Sequence, residues 1–165
     1  MCCRVSSVHN RAVHLITGEY DSGKTTALLS FLQEKNYPDH HLCGFVSLAN
    51  AEKTCYRLTD LFSGEKRVVL SEQSIPSGRK RGRFFVDDAA FAWANAQIVD
   101  RLNSARLVVF DEVGRFELEG GGFDPSLVRA LATCVDIVAT VRLPFLQEVI
   151  DHYGLARYDL TIQWL

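Results

Sequence analysis

GEYDSGKT, residues 18–25, fits the pattern G-x-x-x-x-G-K-[ST] at every specified position. Each specified residue has a physical reason. Gly18 and Gly23 let the backbone turn tightly and approach an anion with no Cβ in the way. The N–H groups of Gly18, Glu19, Tyr20, Asp21, Ser22, Gly23, Lys24, Thr25 and Thr26 are then free to surround phosphate oxygens, helped by the positive end of the helix that follows. Lys24 brings a full charge to the β- and γ-phosphates, and Thr25 offers a hydroxyl to Mg2+, a hard cation that prefers oxygen. The flanks support this reading. Ala12–Thr17 (AVHLIT) is a short apolar run that reads as a buried strand. Lys24–Lys35 (KTTALLSFLQEK) is built of helix formers, with Ala27, Leu28, Phe31 and Leu32 on one face, and Asn36-Tyr37-Pro38 stops it. Strand, phosphate-binding loop (P-loop) and helix therefore follow in the order that the motif requires.

The second informative stretch is LVVFDE, residues 107–112. Four consecutive apolar residues predict a central parallel strand covered on both faces. An acidic residue at the carboxyl end of such a strand points into the crevice where open α/β sheets bind their ligands. Asp111 is thus a candidate second holder of Mg2+. Glu112, next to it, is placed to orient and deprotonate an attacking water. Taken alone, an Asp-Glu pair after a strand also reads as a polar turn or a helix cap.

Between and beyond these stretches the pattern alternates. Leu42–Leu48 and Thr54–Leu61, separated by polar residues 50–53, predict an antiparallel hairpin, and Arg67–Leu70 a further short strand. Ser77–Arg83 (SGRKRGR) reads as a basic loop. Asp87 or Asp88 caps a helix over about Ala89–Asn103. Asp124 caps another that starts at Pro125, after the three glycines of residues 119–124. Asp136–Val141 is a buried strand, Pro144 starts a helix that Gly154 ends, and Tyr158–Leu165 is strand-like. The expected fold is a single α/β P-loop domain over residues 1–165. Its sheet is mixed and mostly parallel, flanked by helices, with an antiparallel hairpin region.

Composition narrows the partners. A net charge of -2 gives no overall positive field to draw in nucleic acid or an anionic membrane. No apolar run reaches the ~20 residues of a membrane span, and residues 1–13 lack the apolar stretch of a signal peptide. The five cysteines, Cys2, Cys3, Cys43, Cys55 and Cys134, form no C-x-x-C pair. Free thiols in a cytoplasmic protein are the simpler reading. Nothing in the pattern specifies an oligomeric state.

Six segments, in order, resemble one family. They are GEYDSGKTT (18–26), GFVS (44–47), YRLTDLFSGE (56–65), GRFFVD (82–87), VVFDEVGRFEL (108–118) and VATVR (138–142). The family is that of the small P-loop nucleoside triphosphatases of the thermophile nucleotide phosphatase type, which includes the human cancer-related nucleoside triphosphatase. The D-E-[IV]-G-x-x-E-L string is the diagnostic part, because many nucleotide-binding proteins share the P-loop. The resemblance implies Mg2+-dependent hydrolysis of nucleoside triphosphate to diphosphate and phosphate, with little base preference. It matches Lys24 and Thr25 to the phosphate and metal positions, Asp111 to the second metal position and Glu112 to the catalytic carboxylate. Arg115 stands where the family usually has lysine. It reads as neutralising charge on the γ-phosphate, or as a plain surface arginine.

One departure is clear. Family members commonly carry an Asn-Arg pair just after the last strand, where this sequence has Ile162-Gln163-Trp164-Leu165. Trp164 reads as a base-stacking residue or as packing. The cluster Arg79, Lys80, Arg81 and Arg83 reads as a solvated loop, a lid over the triphosphate or a patch for RNA. Gly120–Gly122 reads as a gate or a simple connector. Two other functions fit the same motifs. One is a nucleotide or small-molecule kinase with a hydroxyl in place of water. The other is a slow switch that binds a partner according to its nucleotide. The N-K-x-D string of guanine-specific switches is absent.

Overall fold

A computed structural model describes residues 11–165. Its nine strands form one sheet: β1 (Ala12–Gly18), β2 (Leu42–Ala49), β3 (Cys55–Asp60), β4 (Lys66–Ser71), β5 (Arg79–Arg81), β6 (Phe84–Val86), β7 (Leu107–Val113), β8 (Asp136–Arg142) and β9 (Asp159–Trp164). The order across the sheet is β5-β6-β4-β3-β2-β7-β8-β1-β9. The half from β2 to β9 is parallel throughout. The half from β2 to β5 is antiparallel. The mixed α/β sheet with its hairpin region is therefore the one that the sequence predicts.

The apolar run of β7 is explained by burial on two sides. Leu107 and Val109 face a layer that holds Leu28 and Leu32 of α1 (Lys24–Lys35). Val108 and Phe110, one residue out of phase, face the opposite layer. That layer is formed by α2 (Asp88–Arg101), α4 (Asp124–Leu131) and α5 (Leu146–His152), with the short α3 (Arg115–Leu118) between them in the chain. A period of two on a sheet covered on both faces leaves no position for a polar side chain. Each fully buried side chain of this kind stabilises by about 1.5–3 kcal/mol relative to exposure. The register brings the carboxyl ends of β1, β7 and β8 together: Gly18 lies opposite Arg142, and Phe110 opposite Ala139.

Two local expectations change, and a third segment is held by hydrogen bonds. The basic segment is a hairpin rather than a loop: β5 pairs with β6 through Arg81 opposite Phe84, across the turn at Gly82-Arg83. β5 lies at the edge of the sheet, where charged side chains keep it from pairing further. Charge therefore hid a strand. Asp124 does not cap α4. It is the helix's first residue, and its carboxylate accepts the Tyr153 phenol at 2.7 Å. The Gly120–Gly122 connector is tied down: Gly121 N–H donates to the Phe116 carbonyl at 2.8 Å, and the Gly122 carbonyl accepts from Asn95 at 2.9 Å. Elsewhere Asp87 caps α2, accepting from Ala89 N–H at 3.0 Å.

Cys43, Cys55 and Cys134 are free, while Cys2 and Cys3 lie outside the described residues. Burial pushes the Cys43 thiol up to about 12, so it packs as an inert apolar group. Among the described residues no helix is long and apolar enough to cross a membrane.

Candidate active site

The loop between β1 and α1 has the shape its glycines demand. Gly23 sits at φ 86°, left-handed backbone that an L side chain enters only at a cost. At Gly18 the problem is space: a Cβ there would lie 2.4 Å from Ser22 Oγ. The first turn of α1 carries no acidic side chain, so its positive end is not neutralised from within. Lys24 folds back into the loop. It is buried, and its ammonium donates to the carbonyl oxygens of Glu19 at 2.7 Å and Gly18 at 3.4 Å. Residues 20–26 line a pocket of about 250 Å3 together with Ser47, Tyr56, Glu112 and Arg142. Lys53, from the turn after β2, reaches its mouth and pairs with Asp21.

Asp111 enters this site from β7. Its carboxylate is buried and takes three hydrogen bonds: from Thr25 Oγ1 at 2.9 Å, from Ser47 N–H at 2.9 Å and from Thr140 Oγ1 at 2.6 Å. Burial pushes Asp111 up to about 6, against the pull of those hydrogen bonds and with a smaller push from the charge of Glu112. Among the described residues no Lys, Arg or His pairs with it. A buried carboxylate touching a threonine hydroxyl, with no cationic side chain on it, is a donor set that fits a hard divalent cation.

Glu112 owes its position to a break in β7. The register to β8 shifts between Phe110 and Val113, and Glu112 adopts φ 66°. Such backbone costs a non-glycine residue on the order of 1 kcal/mol or more and needs support from its surroundings. Thr140 supplies it: Glu112 N–H donates to Thr140 Oγ1 at 2.7 Å. One hydroxyl thus holds the backbone of Glu112 and the side chain of Asp111. The Glu112 carboxylate is half-exposed and pairs with Arg142 Nε at 3.2 Å. Thr140→Val keeps the shape of the side chain and removes both bonds. The expected outcome is a loss of about 1–3 kcal/mol in stability, from polar groups left unpaired, together with slower phosphate release. An unchanged denaturation midpoint would show that Thr140 supports neither residue.

Past Glu112 the chain turns into α3, held by Glu117. This carboxylate is buried and accepts Gly114 N–H at 2.8 Å and Phe123 N–H at 2.9 Å. Burial pushes Glu117 up from its ordinary 4.5 to about 7, against those backbone hydrogen bonds. The folded state therefore holds this proton at pH values where the unfolded chain has lost it. That contribution to stability is fully present below about 4.5 and is lost as pH rises through about 7. Denaturant titrations from pH 4.5 to 7.5 should show stability falling in the native sequence, with a smaller slope in Glu117→Gln. Equal slopes would assign the pH dependence elsewhere.

The structure thus places Gly18–Thr26, Asp111 and Glu112 together at the carboxyl ends of β1 and β7. Arg115 stands apart from the P-loop pocket. It opens α3, is exposed, lies 5.9 Å over the Phe145 ring and lines a second, larger cavity. Trp164 is exposed at the end of β9, opposite Thr17. Sequence reasoning missed Thr140, Arg142, the Ser47 N–H and Lys53. The first two lie at the carboxyl end of a parallel strand, so the rule that singled out Asp111 could have found them.

Neither the curated proteins nor the solved structures gave a match to this chain. A family model described as NTPase matches residues 13–163, which spans all nine strands of the sheet except the first residue of β1 and the last of β9. The match covers most of the chain, including the P-loop between β1 and α1, and the chain belongs to this family of small P-loop nucleoside triphosphatases.

Proposed function

We propose that this chain hydrolyses nucleoside triphosphates to diphosphate and phosphate, with Mg2+ as cofactor and little base preference. The observation that carries the reading is the position of Glu112. It lines the P-loop pocket beside Asp111, on a backbone bent to deliver it there. The loop N–H groups and Lys24 bind the β- and γ-phosphates. Thr25 and Asp111 would hold Mg2+, which when bound neutralises charge on the phosphate oxygens. Glu112 accepts a proton from a water aligned on the γ-phosphorus. The water oxygen bonds to phosphorus as the bond to the bridging oxygen breaks, and diphosphate leaves. Arg142, which lines the P-loop pocket and pairs with Glu112, supplies positive charge as the γ-phosphoryl group transfers, and Arg115, in the adjoining larger cavity, is the second candidate for that charge. The three cysteines among the described residues are free, which supports a cytoplasmic location.

The test is phosphate release from ATP, GTP, CTP and UTP with Mg2+, with no acceptor present. Comparable rates for all four and loss of activity in EDTA are expected. Full activity in EDTA would remove the Mg2+ role, and release that requires an added hydroxyl compound would replace hydrolysis by transfer.

A further inference from the structure

A cavity larger than the P-loop pocket lies next to it. It has a volume of about 580 Å3 and lies between the antiparallel half of the sheet and α2–α3. Its wall is aromatic, with Tyr56, Phe84, Phe91, Phe116, Phe123 and Phe145. It meets the P-loop pocket at Tyr20, Ser47, Tyr56, Glu112 and Arg142, which line both. Residues 21–26 line only the smaller one.

In-line attack fixes which molecule can enter the larger cavity, and this step rests on the reading of Glu112 given above. The attacking oxygen must lie opposite the departing diphosphate. Glu112 marks the attacking side, so the nucleoside extends away from it. The space beyond Glu112 is therefore available to something other than the nucleotide. Its volume matches a small organic molecule, and cavities of ~300–1,000 Å3 with apolar walls and a few polar groups are the usual form of such sites. The aromatic walls favour a flat ring partner.

The polar groups set its charge. Arg81, Arg83, Arg115 and Arg142 line the cavity. Of its acids, Asp111 and Glu117 are buried and committed to internal hydrogen bonds. Arg81 and Arg83 lie 4.9 and 4.8 Å over the rings of Phe116 and Phe84 and pair with Glu119 and Glu72, acids that do not line the cavity, while among the described residues Arg115 forms no ion pair. We propose that this cavity is a binding site for a second small molecule, a flat aromatic body carrying an anionic substituent, which ends beside Glu112 while nucleotide occupies the P-loop.

The probe is 8-anilinonaphthalene-1-sulfonate, titrated against the native chain saturated with ADP and Mg2+ and followed by fluorescence and calorimetry. N-phenyl-1-naphthylamine, the same rings without the sulfonate, is the comparator. One sulfonate probe per chain, bound with nucleotide present and more tightly than the neutral comparator, is the expected result. Leu70→Trp, which fills the cavity from β4, and Arg83→Ser, on the exposed hairpin, should each weaken binding about tenfold. Arg83→Ser keeps the test open if the tryptophan variant fails to fold. Displacement of the probe by ADP would give the cavity to the nucleotide and overturn the proposal. So would equal binding of the two probes, or binding unchanged in the variants. Phosphate release is measured separately, so failure of the hydrolase reading and failure of this site are told apart.

Discussion

Glu112→Gln is expected to lower single-turnover hydrolysis by about 10²–10⁴-fold, the usual contribution of a positioned general base. Nucleotide affinity should change little, because the proposed function assigns the phosphates and metal to Lys24, Thr25 and Asp111. Glutamine keeps the size and one acceptor oxygen and removes the charge that takes the proton. The backbone should not move, since it is the Glu112 N–H, not the side chain, that bonds Thr140. The side chain's one ion pair, to Arg142, is half-exposed. Exposed pairs of this kind contribute about 0–1 kcal/mol, so lost stability cannot account for an effect of the expected size. If Glu112 serves only as the partner of Arg142, the variant turns over at nearly the native rate with a small shift in stability. Single-turnover hydrolysis and nucleotide titration on the same variant separate the two. A rate above a third of the native value would eliminate Glu112 as the base.

The parts of the site legible in the sequence are those whose chemistry is local in the chain. The P-loop is eight consecutive residues, and its flanking strand and helix announce themselves by period. β7 was legible because burial on both faces forces an unbroken apolar run, and Asp111 because it ends that run. The supports were not legible. Thr140 lies 29 positions from Asp111, and Ser47 lies 64 away. Only the parallel register of β2, β7 and β8 brings them together, and no period in the sequence encodes that register. The larger cavity had no local sign either, because its walls come from both halves of the sheet and from α2 and α3. The β5–β6 hairpin was hidden for the opposite reason. An edge strand tolerates charge, so Arg79–Arg81 reads as loop until its partner Phe84–Val86 is seen beside it.

Lys24→Ala is expected to raise the dissociation constant for nucleoside triphosphate about 10–100-fold. Hydrogen bonds to charged groups contribute about 1.5–3 kcal/mol, and every 1.4 kcal/mol is about a factor of ten. Turnover at saturating nucleotide should fall further, because the ammonium also meets charge that develops on the transferring group. Lys24 is only 4% exposed, and its ammonium lies on the carbonyl oxygens of Glu19 and Gly18. The alanine variant therefore also frees those carbonyls and empties the space of the side-chain stem. Lys24→Met separates the contributions, since it keeps most of the stem and removes the charge. If charge on the phosphates is what matters, methionine and alanine lose affinity alike. If the lysine chiefly braces the loop through its own carbonyls, methionine retains most of the binding and both variants unfold at lower denaturant. Calorimetric titration with a non-hydrolysable triphosphate, alongside denaturation of each variant, reads the two contributions independently. Native affinity in Lys24→Met would remove this lysine from phosphate binding.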